Sequence, residues 1–112
     1  MEEKIKFSIL CQIYGNLLTE KQFQILDDYY NNDLSLSEIA ENNEITRQAV
    51  NDVINKSKNK LLEFEEKLMF MEKILNKEKI IENITIELEK SKDKIITKNQ
   101  VEKITKQLKQ LL

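Results

Sequence analysis

Apolar residues recur at intervals of three and four along most of the chain, which is the spacing of one face of an α-helix. Ile5, Ile9, Ile13 and Leu17, with Leu10 and Tyr14 beside them, follow this spacing and predict the buried face of a first helix. Gly15 is placed to end that helix. Proline is absent and glycine occurs once. Strands and long irregular loops therefore have little support, and the pattern predicts an all-α fold.

Capping residues predict where the later helices begin. In a capping box, a hydroxyl residue and a Glu or Gln three positions later satisfy each other's backbone N–H groups. This spacing occurs at Thr19 with Gln22, Ser35 with Glu38, and Thr97 with Gln100, while Thr46 alone can cap a much longer helix. The cluster at residues 31–33 predicts the end of the helix that begins after Thr19.

Residues 35–54, "SLSEIAENNEITRQAVNDVI", match the requirements of a helix-turn-helix. Two helices that cross closely need a small residue on the first helix, which is Ala40, and an apolar residue in the turn, which is Ile45. Val50 and Val53 then supply the buried side of the second helix. The stretch predicts a helix-turn-helix, and the alternative is an ordinary helical hairpin with the same spacing.

The turn itself departs from the usual pattern. Glu44 occupies the position where such turns commonly have glycine, and Asn43 precedes it at a commonly apolar place. Glycine is favoured there because one residue adopts the left-handed conformation. Asparagine also tolerates that conformation, so a turn shifted by one residue onto Asn43 is an alternative.

The second helix of this motif carries the residues that we predict to contact DNA. Arginine can pair with guanine, and glutamine or asparagine with adenine, in the major groove. The candidate base readers, which face away from the predicted core, are Arg47, Gln48, Asn51, Asp52 and Asn55. Thr46 and Lys56 are candidates for phosphate contacts. The alternative is that all of these are solvated polar residues.

Charge is distributed unevenly along the chain. Residues 46–60 hold four cations and one acid, a net of +3, whereas residues 1–45 hold three cations and nine acids, a net of −6. Binding to DNA depends on the phosphates neutralised at the contact surface, so three or four cations predict weak, salt-sensitive binding by one copy. A homodimer that presents two such helices would bind more tightly.

A seven-residue apolar repeat follows the candidate DNA-binding residues. Its members predict a seam for a partner, and they are Leu61, Phe64, Leu68, Met71 and Leu75. We therefore divide the chain into a helix-turn-helix domain at 1–60 and a helical extension at 61–112, which packs on the first part or on a second subunit. Residues 73–112 hold ten lysines and six acids, which indicates either a solvated helix face or contact with an acidic or nucleic-acid partner.

Several functional classes have no support. No apolar run approaches the roughly 18 residues of a membrane span and no signal peptide is evident, so we expect a cytoplasmic protein without membrane insertion. The chain has no histidine, one cysteine and no glycine-rich phosphate loop, which argues against an enzyme, a bound metal or another cofactor. Cys11 lies in an apolar segment, where a reduced, buried thiol is the expectation and a reactive or ligating role the alternative.

Residues 17–68 closely resemble the YlxM-type family of small bacterial helix-turn-helix proteins. The family's motifs are "LLT-K-Q", "YY--DLSL-EIAE", "SRQAV-D-I" and "LE-YE-KL". This chain matches them in order, the second fully, the third with Thr46 in place of serine, and the first and fourth in part. The resemblance extends over about residues 6–85, and the domain is also similar to the promoter-recognising fourth region of bacterial sigma factors. The family tends to have an apolar residue and glycine where this chain has Asn43 and Glu44.

The resemblance implies an all-α protein encoded beside the signal recognition particle GTPase, with a regulatory or accessory role in that pathway. Its motif carries over onto residues 46–50. Two functions remain open: a regulator that binds double-stranded DNA, and an adaptor that binds protein or ribonucleoprotein components of the signal recognition particle without specific DNA binding.

Overall fold

A computed structural model describes residues 1–92 and 94–112, which form six helices of α type and no strand. The helices are α1 (Glu3–Tyr14), α2 (Glu20–Tyr30), α3 (Leu36–Asn43), α4 (Arg47–Leu68), α5 (Phe70–Lys90) and α6 (Lys98–Lys109), with a 3₁₀ turn at Gly15–Leu17. The all-α prediction is confirmed. None of the helices in these ranges is both long and apolar enough to cross a membrane.

The chain forms two compact units, Met1–Met71 and Glu72–Leu112. In the first unit, α4 contacts α1, α2 and α3, so it is the helix around which the core is built. The buried apolar residues of that core are Phe7, Leu10, Cys11, Tyr14, Leu18, Ile25, Leu26, Tyr30, Ile39, Ala40, Val50, Ile54 and Leu61. Because Leu61 is fully buried among them, the first unit extends past residue 60, where the sequence placed the boundary.

Helix α1 buries part of the predicted face and adds Phe7 and Cys11 to it. Leu10 and Tyr14 are buried as predicted and Ile9 and Ile13 are half-buried, whereas Ile5 and Leu17 are exposed. Phe7 is buried in preference to Ile5 because its larger ring removes more apolar area from water. Phe7 stacks on the ring of Tyr30 with 5.5 Å between centroids.

Gly15 ends α1, as predicted, but for a different reason. Its φ of −54° is right-handed, so the left-handed conformation that favours glycine is not involved. A Cβ atom at this position would lie 2.6 Å from a ring carbon of Phe23. Glycine is therefore needed here because the Phe23 ring packs directly against the backbone.

All four predicted helix starts are confirmed. Thr19, Ser35 and Thr97 each accept a hydrogen bond from the backbone N–H three residues later, and the Gln or Glu at that position accepts one in return. Thr46 caps α4 without the reciprocal bond. Local sequence thus determines where these helices begin.

In the second unit, α6 runs antiparallel to the later part of α5. The Gln100 side-chain amide donates to the Ser91 hydroxyl at 3.4 Å, and Lys103 pairs with Glu87 at 3.5 Å. Contacts that move backward along α5 as they move forward along α6 define a helical hairpin.

Candidate nucleic-acid interface

The turn between α3 and α4 closes around Glu44, which has a left-handed φ of 56°. The Ile45 N–H donates to the Ala40 carbonyl at 3.1 Å, and the Glu44 N–H donates to the Glu41 carbonyl at 3.3 Å. This pair of bonds is the Schellman motif, which satisfies the last carbonyls of a helix. A glutamate therefore holds the conformation for which glycine is the usual residue.

Asn43 does not take the turn, so the alternative of a turn shifted by one residue is wrong. Asn43 is the last residue of α3, and its side-chain amide donates to the Ile39 carbonyl at 2.8 Å. That bond is made within the helix. The Schellman bonds are available only when the following residue, Glu44, is the left-handed one.

The packing between α3 and α4 matches the predicted helix-turn-helix. Ala40 and Val50 are buried, and Ile45 and Val53 are half-buried against the core. A small residue at the crossing lets the two helices approach closely, while the turn residue closes the space between them. This packing fixes which side of α4 faces outward.

The outward side of α4 carries all of the predicted DNA-contacting residues. Those residues, each exposed to solvent, are Thr46, Arg47, Gln48, Asn51, Asp52, Asn55 and Lys56. Gln48, Asn51 and Asn55 follow one another at intervals of three and four, so the structure brings them onto one face. Asn59, four residues after Asn55, extends that face, and the same spacing rule would have found it.

The N-terminus of α4 lies at the head of this exposed face. The Thr46 hydroxyl accepts a hydrogen bond from the Ala49 N–H at 3.0 Å. The remaining N–H groups of the first helical turn have no carbonyl partner within the helix. They add a partial positive charge beside Arg47, which favours an anion such as a phosphate.

Lys58 is half-buried and paired within the protein, although the sequence counted it with the other cations of α4. Its ammonium pairs with Glu3 and lies 4.8 Å from the centre of the Phe7 ring. Burial acts to lower the pKa of Lys58, but hydrogen bonds to Glu3 and Tyr30 outweigh burial and raise it. The same hydrogen bond lowers the pKa of Glu3. Residues this far apart in sequence offer no pairing signal.

The residues of the predicted partner seam do not form one exposed line along a single helix. Leu61 is fully buried in its own domain, and Phe64 and Met71 pack against that core. The carrying helix also ends at Leu68, because Met69 adopts a left-handed φ of 56°. Leu68 is exposed, and Leu75 belongs to the second unit, where it is half-buried.

Side-chain hydrogen bonds just after Met69 stabilise this break between α4 and α5. We call this cluster of Tyr14, Glu65, Phe70 and Met71 the corner. The Tyr14 hydroxyl donates to the Glu65 carboxylate at 2.7 Å and accepts from the Phe70 N–H at 3.1 Å. Glu65 also accepts from the Met71 N–H at 2.9 Å. Two N–H groups that the break leaves without helical partners are thus satisfied by side chains. Burial chiefly raises the pKa of Tyr14, and the bond to Glu65 raises it further.

The other candidate groups are the Cys11 thiol and the carboxylates. Cys11 is buried in the core, where desolvation first and the charge of Asp27 second raise the pKa of its thiol to about 11. Such a thiol is poorly nucleophilic at neutral pH. Within the described ranges, no group of three or more Cys, Asp or Glu side chains could hold a metal ion.

Comparison with known proteins places these features in context. The model of the UPF0122 family, described as "Putative helix-turn-helix protein, YlxM / p13 like", matches residues 1–109. A UPF0122 protein of Clostridium acetobutylicum is 46% identical over 104 residues, which cover 93% of this chain and 90% of the relative. One of Clostridium botulinum is 40% identical over 109 residues, covering 93% and 100%. One of Malacoplasma penetrans is 61% identical over 66 residues, covering 59% and 62%.

Proposed function

Because the chain belongs to the UPF0122 family of YlxM/p13-like helix-turn-helix proteins, we propose that it is a regulatory protein that binds double-stranded DNA through α4. The observation that carries the proposal is the exposed polar face of α4, which begins at a capped helix N-terminus and is held outward by a helix-turn-helix. The sequence resemblance to the promoter-recognising fourth region of sigma factors fits this role. A protein with this role would be cytoplasmic.

The side chains of this face divide by chemistry into base readers and phosphate ligands. Arg47 can pair with guanine, and Gln48, Asn51 and Asn55 can each pair with adenine in the major groove. Thr46 and Lys56 lie where a helix N-terminus and its flank approach the DNA backbone. In this proposal α4 enters the major groove with its N-terminal turns.

The charge of the face sets the expected affinity. With Lys58 bound to Glu3, the exposed cations of this part of α4 are Arg47, Lys56 and Lys60. If each of these cations, Arg47 included, neutralised one phosphate, the slope of log binding constant against log salt would be about −2.7, and it is shallower by about 0.9 where Arg47 pairs with a base instead. One copy should therefore bind weakly at physiological salt, and a homodimer would double the number of contacts.

The test is fluorescence anisotropy with a labelled random-sequence duplex at low salt. Replacing Arg47 and Gln48 together by alanine should reduce the affinity by at least tenfold, because both lie at the proposed contact. The matched control replaces Lys21 and Gln24 by alanine; these residues are also exposed and also provide one cation and one amide, but on α2. Equal loss in both variants, or no binding by the wild type, would reject the proposal.

A second candidate function is an adaptor for a component of the signal recognition particle pathway. The observation that favours it is the basic character of residues 73–112, whose exposed lysines include Lys98, Lys106 and Lys109 of α6. Such a surface could bind RNA or an acidic protein. Binding to the particle's RNA and to its GTPase, measured beside duplex DNA in one salt series, separates the two functions by the preferred ligand.

A further inference from the structure

Asp52 is the one acidic residue among residues 46–60, the segment that carries the candidate DNA contacts. Its side chain is exposed, and within residues 1–92 and 94–112 it makes no hydrogen bond and no ion pair. It lies in the second turn of α4, whereas a carboxylate stabilises a helix through its dipole mainly in the first turn. Thr46 supplies the cap of α4. The described fold therefore gives Asp52 no structural role.

Asp52 lies on the same side of α4 as the candidate base readers Gln48 and Asn55. It comes four residues after Gln48 and three before Asn55, and all three side chains are exposed. At 1.5 Å per residue, the three residues span about 10 Å along the helix, or about three base-pair steps of 3.4 Å. A helix that brings Gln48 and Asn55 to base edges therefore brings Asp52 to the base edges between them.

A carboxylate at this position weakens the attraction of α4 to DNA in general. The exposed cations of the segment are Arg47, Lys56 and Lys60, and Asp52 cancels one of their three charges. DNA phosphates repel the carboxylate whatever the base sequence is. This repulsion is compensated only at a base that donates a hydrogen bond to Asp52. An acid on such a surface therefore acts against non-specific binding and in favour of particular sequences.

The base edges of the major groove differ in whether they can donate to a carboxylate. Cytosine presents the N4 amino group, which is a donor, and no acceptor beside it. Adenine has the N6 donor, but its N7 acceptor lies next to that donor and repels a carboxylate oxygen. Guanine presents two acceptors, and thymine presents the O4 acceptor and a methyl group. Cytosine is therefore the base that an aspartate matches best.

We propose that Asp52 is a specificity-determining residue, whose carboxylate accepts a hydrogen bond from the N4 amino group of a cytosine in the bound site. This assignment rests on the proposed function, because it requires α4 to enter the major groove. The cytosine lies within about three base pairs of the adenines that Gln48 and Asn55 read. At other sequences the carboxylate has no donor and lowers the affinity.

The experiment is the selection of bound duplexes from a library with a random central segment, using the full chain. Wild type should enrich sites with one cytosine position near the adenines. Asp52→Asn keeps the size of the side chain but replaces its charge by an amide, which pairs with adenine N6 and N7. This variant should enrich adenine where wild type enriches cytosine. It should also keep the urea midpoint of wild type, because Asp52 has no partner in the described fold.

Two selected duplexes that differ only at this base pair give the magnitude by fluorescence anisotropy. Wild type should bind the cytosine duplex at least about fivefold more tightly than the adenine duplex, which is the lower end for a good base contact. Asp52→Asn should reverse this order. Asp52→Ala offers neither a donor nor an acceptor, so it should bind the two duplexes within about twofold of each other. It should also bind random DNA more tightly than wild type does.

The matched control is Glu63→Gln. Glu63 is exposed on the same side of α4, since the eleven residues between the two positions make about three full turns, and the variant loses one negative charge in the same way. Glu63 lies about 16 Å further along the helix, beyond the Debye length of about 10 Å at 0.1 M salt. Glu63→Gln should therefore keep both the cytosine preference and the affinity of wild type.

The outcomes separate the role of Asp52 from the proposed function. If wild type binds no duplex, α4 is not a DNA-binding helix and both are rejected. If wild type binds DNA without a preferred cytosine, or if Asp52→Asn keeps that preference, the role of Asp52 alone is overturned. It is also overturned if Asp52→Asn strengthens binding to all duplexes equally, because Asp52 would then act only through its charge.

Discussion

Replacing Glu44 by glycine should stabilise the protein. A side chain in the left-handed region costs about 1–2 kcal/mol, and Glu44 has a φ of 56°. Glycine loses more backbone entropy on folding, which opposes the gain by about 0.5–1 kcal/mol. The expected net gain is about 0.5–1 kcal/mol in the free energy of unfolding, or about 3–6 °C in Tm for a domain of this size.

The matched control moves the same substitution by one residue. Asn43→Gly removes the hydrogen bond to the Ile39 carbonyl and puts glycine into α3, so it should destabilise by about 1 kcal/mol. Urea unfolding followed by tyrosine fluorescence measures both changes, because all three tyrosines lie in the first unit. A lower midpoint for Glu44→Gly, or a higher one for Asn43→Gly, would refute the assignment of the turn to Glu44.

Three further predictions concern the core of the first unit. Tyr14→Phe should destabilise by about 1–2 kcal/mol in urea unfolding because it removes the corner at Glu65, while Tyr29→Phe, at an exposed ring, should change stability by less than about 0.5 kcal/mol. Cys11, with a pKa of about 11, should react with iodoacetamide at pH 8 far more slowly in the folded protein than in urea, as mass spectrometry would show. Lys58→Met should lower the urea midpoint more at pH 7 than at pH 3. The pairing with Lys58 lowers the pKa of Glu3 in the folded protein, so the pair stabilises the fold fully when the pH is above 4.5, the ordinary pKa of glutamate. This stabilisation is lost as the pH falls through the lower pKa that Glu3 has in the folded protein. An equal effect of Lys58→Met at both pH values would contradict this pairing.

Local signals in the sequence predicted the helix starts and the helix-turn-helix packing correctly. A capping box involves residues three positions apart, and the helix-turn-helix packing pairs Ala40 with Val50, ten positions apart. Both can therefore be predicted from short stretches of sequence. The buried face of α1 was predicted only in part. Leu10 and Tyr14 are buried as predicted, but the burial of Phe7 and the exposure of Ile5 depend on the packing of Phe7 against Tyr30, which the local spacing does not show.

Long-range contacts account for the remaining differences. The break at Met69 interrupts a regular seven-residue repeat, and the groups that stabilise it include the Tyr14 hydroxyl, far away in sequence. Likewise, nothing in the local sequence distinguishes Lys58 from Lys56, but in the structure Lys58 is half-buried and paired with Glu3. The exposed residues of the candidate site could be predicted because helical spacing determines which side of α4 faces solvent. The number of unpaired cations on that side could not, because it depends on tertiary contacts such as the one between Lys58 and Glu3.

The measurement that tests the central claim most directly is the salt dependence of duplex DNA binding for two lysine variants of α4. Lys56 is exposed on the proposed contact face, while Lys58, two residues away, is paired with Glu3. Lys56→Met should therefore reduce the magnitude of the log–log slope by about 0.9 for each copy that binds, and Lys58→Met should leave the slope unchanged. Equal slopes for both variants and the wild type, or no measurable binding at low salt, would contradict a role for α4 in contacting DNA.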